Sequence, residues 1–276
     1  MGICIYCKTP AGFLKKKHKE CQKKFVVGTN EIRTLIKLSV SNDSNIKELK
    51  SKINAIATDS HIAEPELRNT IYDGWKLAIE QAFEDGILSK QEEDKLVDMI
   101  DNFEFKKELL NSDPSYMKIV KGAILRDILE GKIPERVSIS GNLTLNIQKS
   151  EKIIWVFQNV RYYEMRTYMQ HVGMYRGVSI RIANGIYYKV GSFKSNPVEI
   201  NKMVKIDAGI LVVTDSHIYF GGRLKSFKIK YDKIVSFKPY SDGLGIQRDA
   251  QTAKPQIFLT GDGWFTTNLI MNLAKM

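Results

Sequence analysis

Cysteine and histidine are concentrated at one end of this chain: Cys4 and Cys7 are separated by two residues, and after a ten-residue interval His18 and Cys21 repeat that spacing. No other cysteine occurs among the 276 residues. Three thiolates and one imidazole form the donor set of a tetrahedral Zn2+ site, and a two-residue gap lets each pair grip the ion from a single tight turn. With all four positions supplied by protein, no seat is left for a reactive water, so the expected Zn2+ is structural. Cysteines that bind metal must stay reduced, which fits a cytoplasmic protein. The start of the chain carries no basic stretch followed by an apolar run, and no apolar run is long enough to span a bilayer.

Charge gathers around the same residues. The chain has 42 Lys and Arg against 31 Asp and Glu, a net charge of +11. Lys8, Lys15, Lys16, Lys17, Lys19, Lys23 and Lys24 flank the quartet and are opposed only by Glu20. Such a module attracts phosphate backbones or anionic protein faces, and Lys15, Lys16 and Lys17 are the expected contacts; the plainer alternative is a solvated face. Tyr6 and Phe13 are expected to form the miniature core of the module. A second basic concentration interleaves Arg161, Arg166, Arg176 and Arg181 with Tyr162, Tyr163, Tyr168 and Tyr175. Arginine clamps phosphate and stacks on flat rings, and Arg and Tyr dominate binding hot spots, so an exposed insertion over residues 162–176 is expected to meet nucleic acid or a protein partner. The alternative is a polar hairpin pairing Arg166 with Glu164.

Catalysis has weaker support. Asp207, Asp215, Asp232, Asp242, Asp249 and Asp262, with His171 and His217, contain the parts of a metal-dependent nuclease or hydrolase, yet most of these aspartates sit in turn contexts where they bond backbone. Asp85, Glu92, Glu93 and Asp94 lack the alternation and central glycine of a calcium loop. No phosphate-binding loop, dinucleotide fingerprint or nucleophile elbow occurs. A non-enzymatic protein is expected, with the nuclease or hydrolase as the alternative.

The elements that carry these residues follow from periodicity. Residues 1–27 read as a zinc knuckle and 28–44 as a linker. Apolar residues at three- and four-residue steps then mark helices at Ile46–Ile56, Glu66–Phe83, Ser89–Phe103 and Tyr116–Leu129, a small bundle over 45–134. Ser89 and Glu92 have capping-box spacing, and Gly86 and Gly131 are placed to stop helices. After Pro134 the pattern alternates, predicting strands at Leu143–Ile147, Lys152–Phe157, Val178–Ile182, Ile186–Val190, Ile210–Thr214, His217–Phe220, Phe227–Ile229, Ile234–Phe237, Gly245–Arg248 and Gln256–Leu259. An amphipathic helix over Trp264–Met276 ends the chain. The fold class is therefore α+β, with a β-barrel or sandwich over 135–276 closed by a terminal helix.

Two stretches carry a resemblance. Ala82–Glu93, with its Gly86-Ile87-Leu88 turn before an acidic helix start, resembles helical modules of bacterial regulatory and stress proteins. Thr214–Gly222, Lys225–Gly243, Lys254–Phe258 and Gly261–Phe265 together resemble bacterial pleckstrin-homology-like domains over about residues 150–276. The chain departs from that pattern at Lys230, where proline is usual. The resemblance implies a platform for proteins, peptides or lipids, including anionic membrane surfaces, and not a catalyst. The composite of knuckle, helical module and pleckstrin-like domain resembles uncharacterised bacterial proteins of that layout, and an adaptor or regulator in a stress-response or phage-defence setting is the expectation.

Overall fold

A computed structural model describes residues 2–42, 45–139, 145–183, 186–250 and 253–276, without the side chains of 112 and 170–199. The fold is α+β, and the chain divides into two compact units, Met1–Arg136 and Val137–Met276.

The first unit opens with a short hairpin of β1 (Gly2–Ile3) and β2 (Pro10–Gly12) and continues through α1 (Lys19–Ser39), α2 (Ile46–Asp59), α3 (Glu64–Ala82), α4 (Lys90–Asn102), α5 (Lys107–Ser112) and α6 (Pro114–Leu129). Residues 28–39, expected in a linker over 28–44, are instead the second half of α1. The physical reason is a narrow stripe, Ile32, Ile36 and Val40, spaced one helical turn apart and buried against Leu49, Ile53, Trp75 and Ile79. Gly74 of α3 makes room for this packing: a Cβ there would meet the Ile36 side chain at 3.0 Å. The Ser89–Glu92 capping box opens α4. Trp75 is buried, its indole N–H donating to the Leu96 carbonyl at 3.0 Å, with Tyr72 and Phe105 against its ring. Arg126 and Glu93, both nearly buried, pair at 2.6 Å, and Arg136 bridges Glu93 and Asp127 at 2.7 and 2.6 Å. That network fastens the end of the unit to α4 and α6.

The second unit contains β3 (Ile153–Ala183), β4 (Ile186–Thr214), β5 (His217–Gly222), β6 (Ser226–Lys230), β7 (Ile234–Tyr240), β8 (Gly243–Arg248), β9 (Gln256–Leu259) and α7 (Gly263–Leu273). All pairings are antiparallel, in the order β6-β5-β4-β3-β9-β8-β7, and the sheet curls into a half-barrel. Among the described residues no pairing joins β6 to β7, so the ring is not closed by hydrogen bonds. Tyr162, Phe220, Phe227 and Phe258 pack together inside the curl, with neighbouring centroids 4.9–6.2 Å apart. Phe265, Leu269, Ile270 and Leu273 of α7 are buried, and the Phe265 ring meets Trp155 and Phe157 of β3. Asp262 caps α7 by accepting from the Phe265 amide.

Several expectations change here. The insertion expected over 162–176 is part of one continuous strand, β3, which pairs with β4 from Ile153 to Ala183. The segments expected as separate strands, Val178–Ile182 and Ile186–Val190, are the far ends of the same two strands. Of the strand expected at Leu143–Ile147, residues 143 and 144 lie outside the described residues and 145–147 are not in a strand.

Candidate metal centre

Local hydrogen bonds bring the four donors together. The Cys4 amide donates to the Thr9 carbonyl at 2.8 Å and the Lys8 amide to the Cys4 carbonyl at 3.0 Å, folding Cys4–Cys7 into a tight turn that Lys8 leaves at φ 59°. β1 and β2 carry the chain back. It then enters α1, where His18 is the N-cap residue and makes no side-chain cap bond. Its ring is therefore free to face the sulfurs, and Cys21 joins it from the first turn of the helix.

The result is a cluster in which one ligand atom from each of Cys4, Cys7, His18 and Cys21 lies within 4.8 Å of the others. These four could hold a metal ion. Cys4 is buried; Cys7 and Cys21 are half-buried. His18 Nδ1 stands 3.4 Å from Cys7 Sγ and 3.6 Å from Cys21 Sγ, while Nε2 lies 3.1 Å from the Pro10 carbonyl oxygen. A proton on Nε2, donated to that carbonyl, leaves the Nδ1 lone pair aimed into the cluster. The His18 amide points at Cys4 Sγ from 3.4 Å, and Thr9 Oγ1 lies 3.0 Å from Cys7 Sγ.

These contacts draw two of the three thiols toward the thiolate. The Thr9 hydroxyl, helped by its amide, draws the Cys7 thiol down to about 6. Burial opposes ionisation of Cys4, but the amides of Cys7, His18 and Tyr6 outweigh it and lower its pKa. Burial pushes Cys21 up to about 11, with the neighbouring Cys7 adding to the effect. The Cys7 sulfur and the Pro10 carbonyl raise His18. Thiolate character is thus favoured at Cys4 and Cys7 and opposed by burial at Cys21, at the positive end of α1.

The other expected site residues are distributed differently. Lys15, Lys16 and Lys17 are exposed beside the quartet. Phe13, expected in the small core, is 85% exposed, and only Tyr6 packs inward, on Phe25 with ring centroids 4.9 Å apart. Tyr162, expected on a binding surface, is fully buried in the half-barrel. Strand alternation is the reason: Arg161 and Tyr163 point away from the core that Tyr162 fills. Arg161 reaches Asp242 at 3.3 Å, Tyr163 is half-buried and Arg166 is exposed. Glu164 bonds Lys225 at 2.6 Å and the Tyr162 hydroxyl, with Arg166 acting on it only through charge. The side chains of Arg176, Arg181 and His171 lie outside the described residues.

Four of the carboxylates considered as catalytic or calcium ligands have other partners. Asp207 accepts amides of Ala208, Leu224 and Lys225; Asp232 pairs with Lys230; Asp85 accepts the Ile87 amide; Asp94 pairs with Lys90. One buried group was not legible in the sequence. The Glu151 carboxylate accepts from Thr214 Oγ1 at 2.6 Å and Tyr219 OH at 2.9 Å, and His217 Nδ1 approaches it to 2.9 Å without hydrogen-bond alignment. Its partners stand more than sixty positions away, and no local spacing marks them. Comparison of the chain with protein-family models, curated proteins and solved structures found no match.

Proposed function

We propose that Cys4, Cys7, His18 and Cys21 hold one structural Zn2+ and that the chain is a non-enzymatic adaptor or regulatory binding protein. The observation that carries the reading is the convergence of three sulfurs and one oriented imidazole. For zinc bonds of the usual lengths, a tetrahedral site separates sulfur from nitrogen by about 3.5 Å; the sulfur-to-Nδ1 distances of 3.4 and 3.6 Å agree with that edge. Soft thiolates disfavour calcium and magnesium, and four protein donors leave no open position of the kind a catalytic zinc needs. When bound, the ion supplies a cross-link between the first turn, the hairpin and the start of α1, where no apolar core is available.

The second unit is read as a pleckstrin-homology-like platform. A four-strand meander, a three-strand meander and a terminal helix over the sheet support this, in addition to the sequence resemblance. Such a platform binds partners, so function is assigned to recognition by both units. Metal analysis of the full-length protein with and without Cys4→Ser tests the assignment. About one zinc per chain, lost in the variant, is expected; turnover of a substrate by the zinc-bearing protein, abolished by changing one carboxylate of the second unit, would refute the non-enzymatic part.

A further inference from the structure

We infer that the loop between β2 and α1 is a probe for the surface of an anionic phospholipid bilayer; the inference rests on the structural-metal reading, because the metal-bound module is what holds this loop in shape. Phe13 and Leu14 are the most exposed large apolar side chains among the described residues, at 85% and 86%. Ile3 of β1 and Ile5 of the turn that follows it are 62% and 53% exposed. Water-facing placement of four such residues in so small a module wastes apolar surface that would otherwise stabilise it.

The backbone turns sharply at this tip. Leu14 has φ 58°, a left-handed conformation that glycine or asparagine adopts at far lower cost. The base of the tip is rigid: the Ile5 amide donates to the Lys16 carbonyl at 2.9 Å, and a Cβ on Gly2 would stand 2.0 Å from the Lys15 carbonyl oxygen. Directly behind the apolar pair, Lys15, Lys16 and Lys17 are exposed.

An apolar tip backed by lysines matches the layering of a bilayer face, where acyl chains lie beneath anionic phosphates. Phe13 and Leu14 would enter the boundary between headgroups and acyl chains while the lysines stay at phosphate level. Nucleic acid fits less well. Three of the four exposed apolar residues are aliphatic and offer no ring for stacking, and residues 2–24 contain no arginine to clamp a phosphate in two places.

Co-sedimentation of the zinc-bearing full-length protein with phosphatidylcholine vesicles, with and without phosphatidylserine, tests the inference across a salt series. Binding to the phosphatidylserine vesicles, weakening with salt, is expected. Replacing Phe13→Ser and Leu14→Ser together should reduce it roughly tenfold or more without loss of zinc. Neutralising Lys15, Lys16 and Lys17 to Gln should weaken binding to the phosphatidylserine vesicles and flatten its salt dependence, and an unchanged salt dependence would overturn the inference. Equal binding to uncharged vesicles, unchanged binding by the Phe13/Leu14 variant, or capture of single-stranded RNA or an acidic polypeptide with no vesicle binding would overturn it. Zinc content is measured on the same samples: a zinc-bearing protein that ignores vesicles sinks this inference alone, whereas a zinc-free protein sinks the metal reading and this one with it.

Discussion

Three of the four donors of the quartet are held by an outer contact that is not itself a donor to the cluster. Pro10 fixes the histidine tautomer, Thr9 stabilises the Cys7 thiolate and the His18 amide points at Cys4. Outer contacts of this kind typically set metal affinity within a factor of roughly 10 to 100. Thr9→Val should therefore weaken zinc affinity by about that factor, measured by competition with a chromogenic chelator, while leaving the stoichiometry intact. The convergence of the quartet was legible in the sequence because it is local: the four candidate donors lie within one short stretch at paired two-residue spacing. Tyr162 was not legible as a core residue. Its arginine and tyrosine neighbours look like a binding surface until strand alternation separates them, placing one ring inside and the flanking side chains outside.

At the level of elements, the sequence was most informative where a cap and a stripe agree. Ser89 and Glu92 announce α4, and the structure contains both halves of the capping box. Ser89→Ala should cost about 1 kcal/mol, read from urea denaturation of the full chain. Helix α1 was hidden because polar residues crowd its narrow apolar stripe and its first turn belongs to the Cys/His cluster. Its length also limits how far metal loss can spread. Ile32 and Ile36 anchor α1 in the bundle core, so hydrogen exchange in Cys4→Ser should accelerate at the amides of Cys4, Ile5 and Lys8 and leave those of Ile32 and Ile36 protected. The extent of β3 and β4 was likewise hidden, since the sequence breaks them with glycines that the paired backbone carries through.

On the scale of the whole chain, the two units have separate cores and separate sources of stability. The first depends on an ionic network as well as on packing. Burial works against the charges of Glu93 and Asp127, but hydrogen bonds from Arg126 and Arg136 win and hold both pKa values below the ordinary carboxylate range. A depressed carboxylate contributes stability that is present above its unfolded-state pKa and lost as pH falls through the folded-state value. The first unit should therefore lose stability on acidification below about pH 4. Arg126→Ala leaves Glu93 with Arg136 as its remaining guanidinium partner and should cost roughly 1–3 kcal/mol in chemical denaturation at neutral pH. Long-range pairs such as Arg126 with Glu93 have no signature in spacing, which is why the network emerges only from the folded chain. The most direct test of the central claim is the metal content of the intact protein, measured by mass spectrometry under non-denaturing conditions. One bound zinc per chain that disappears in Cys4→Ser is predicted; a native protein that carries none, or a variant that keeps its zinc, contradicts it.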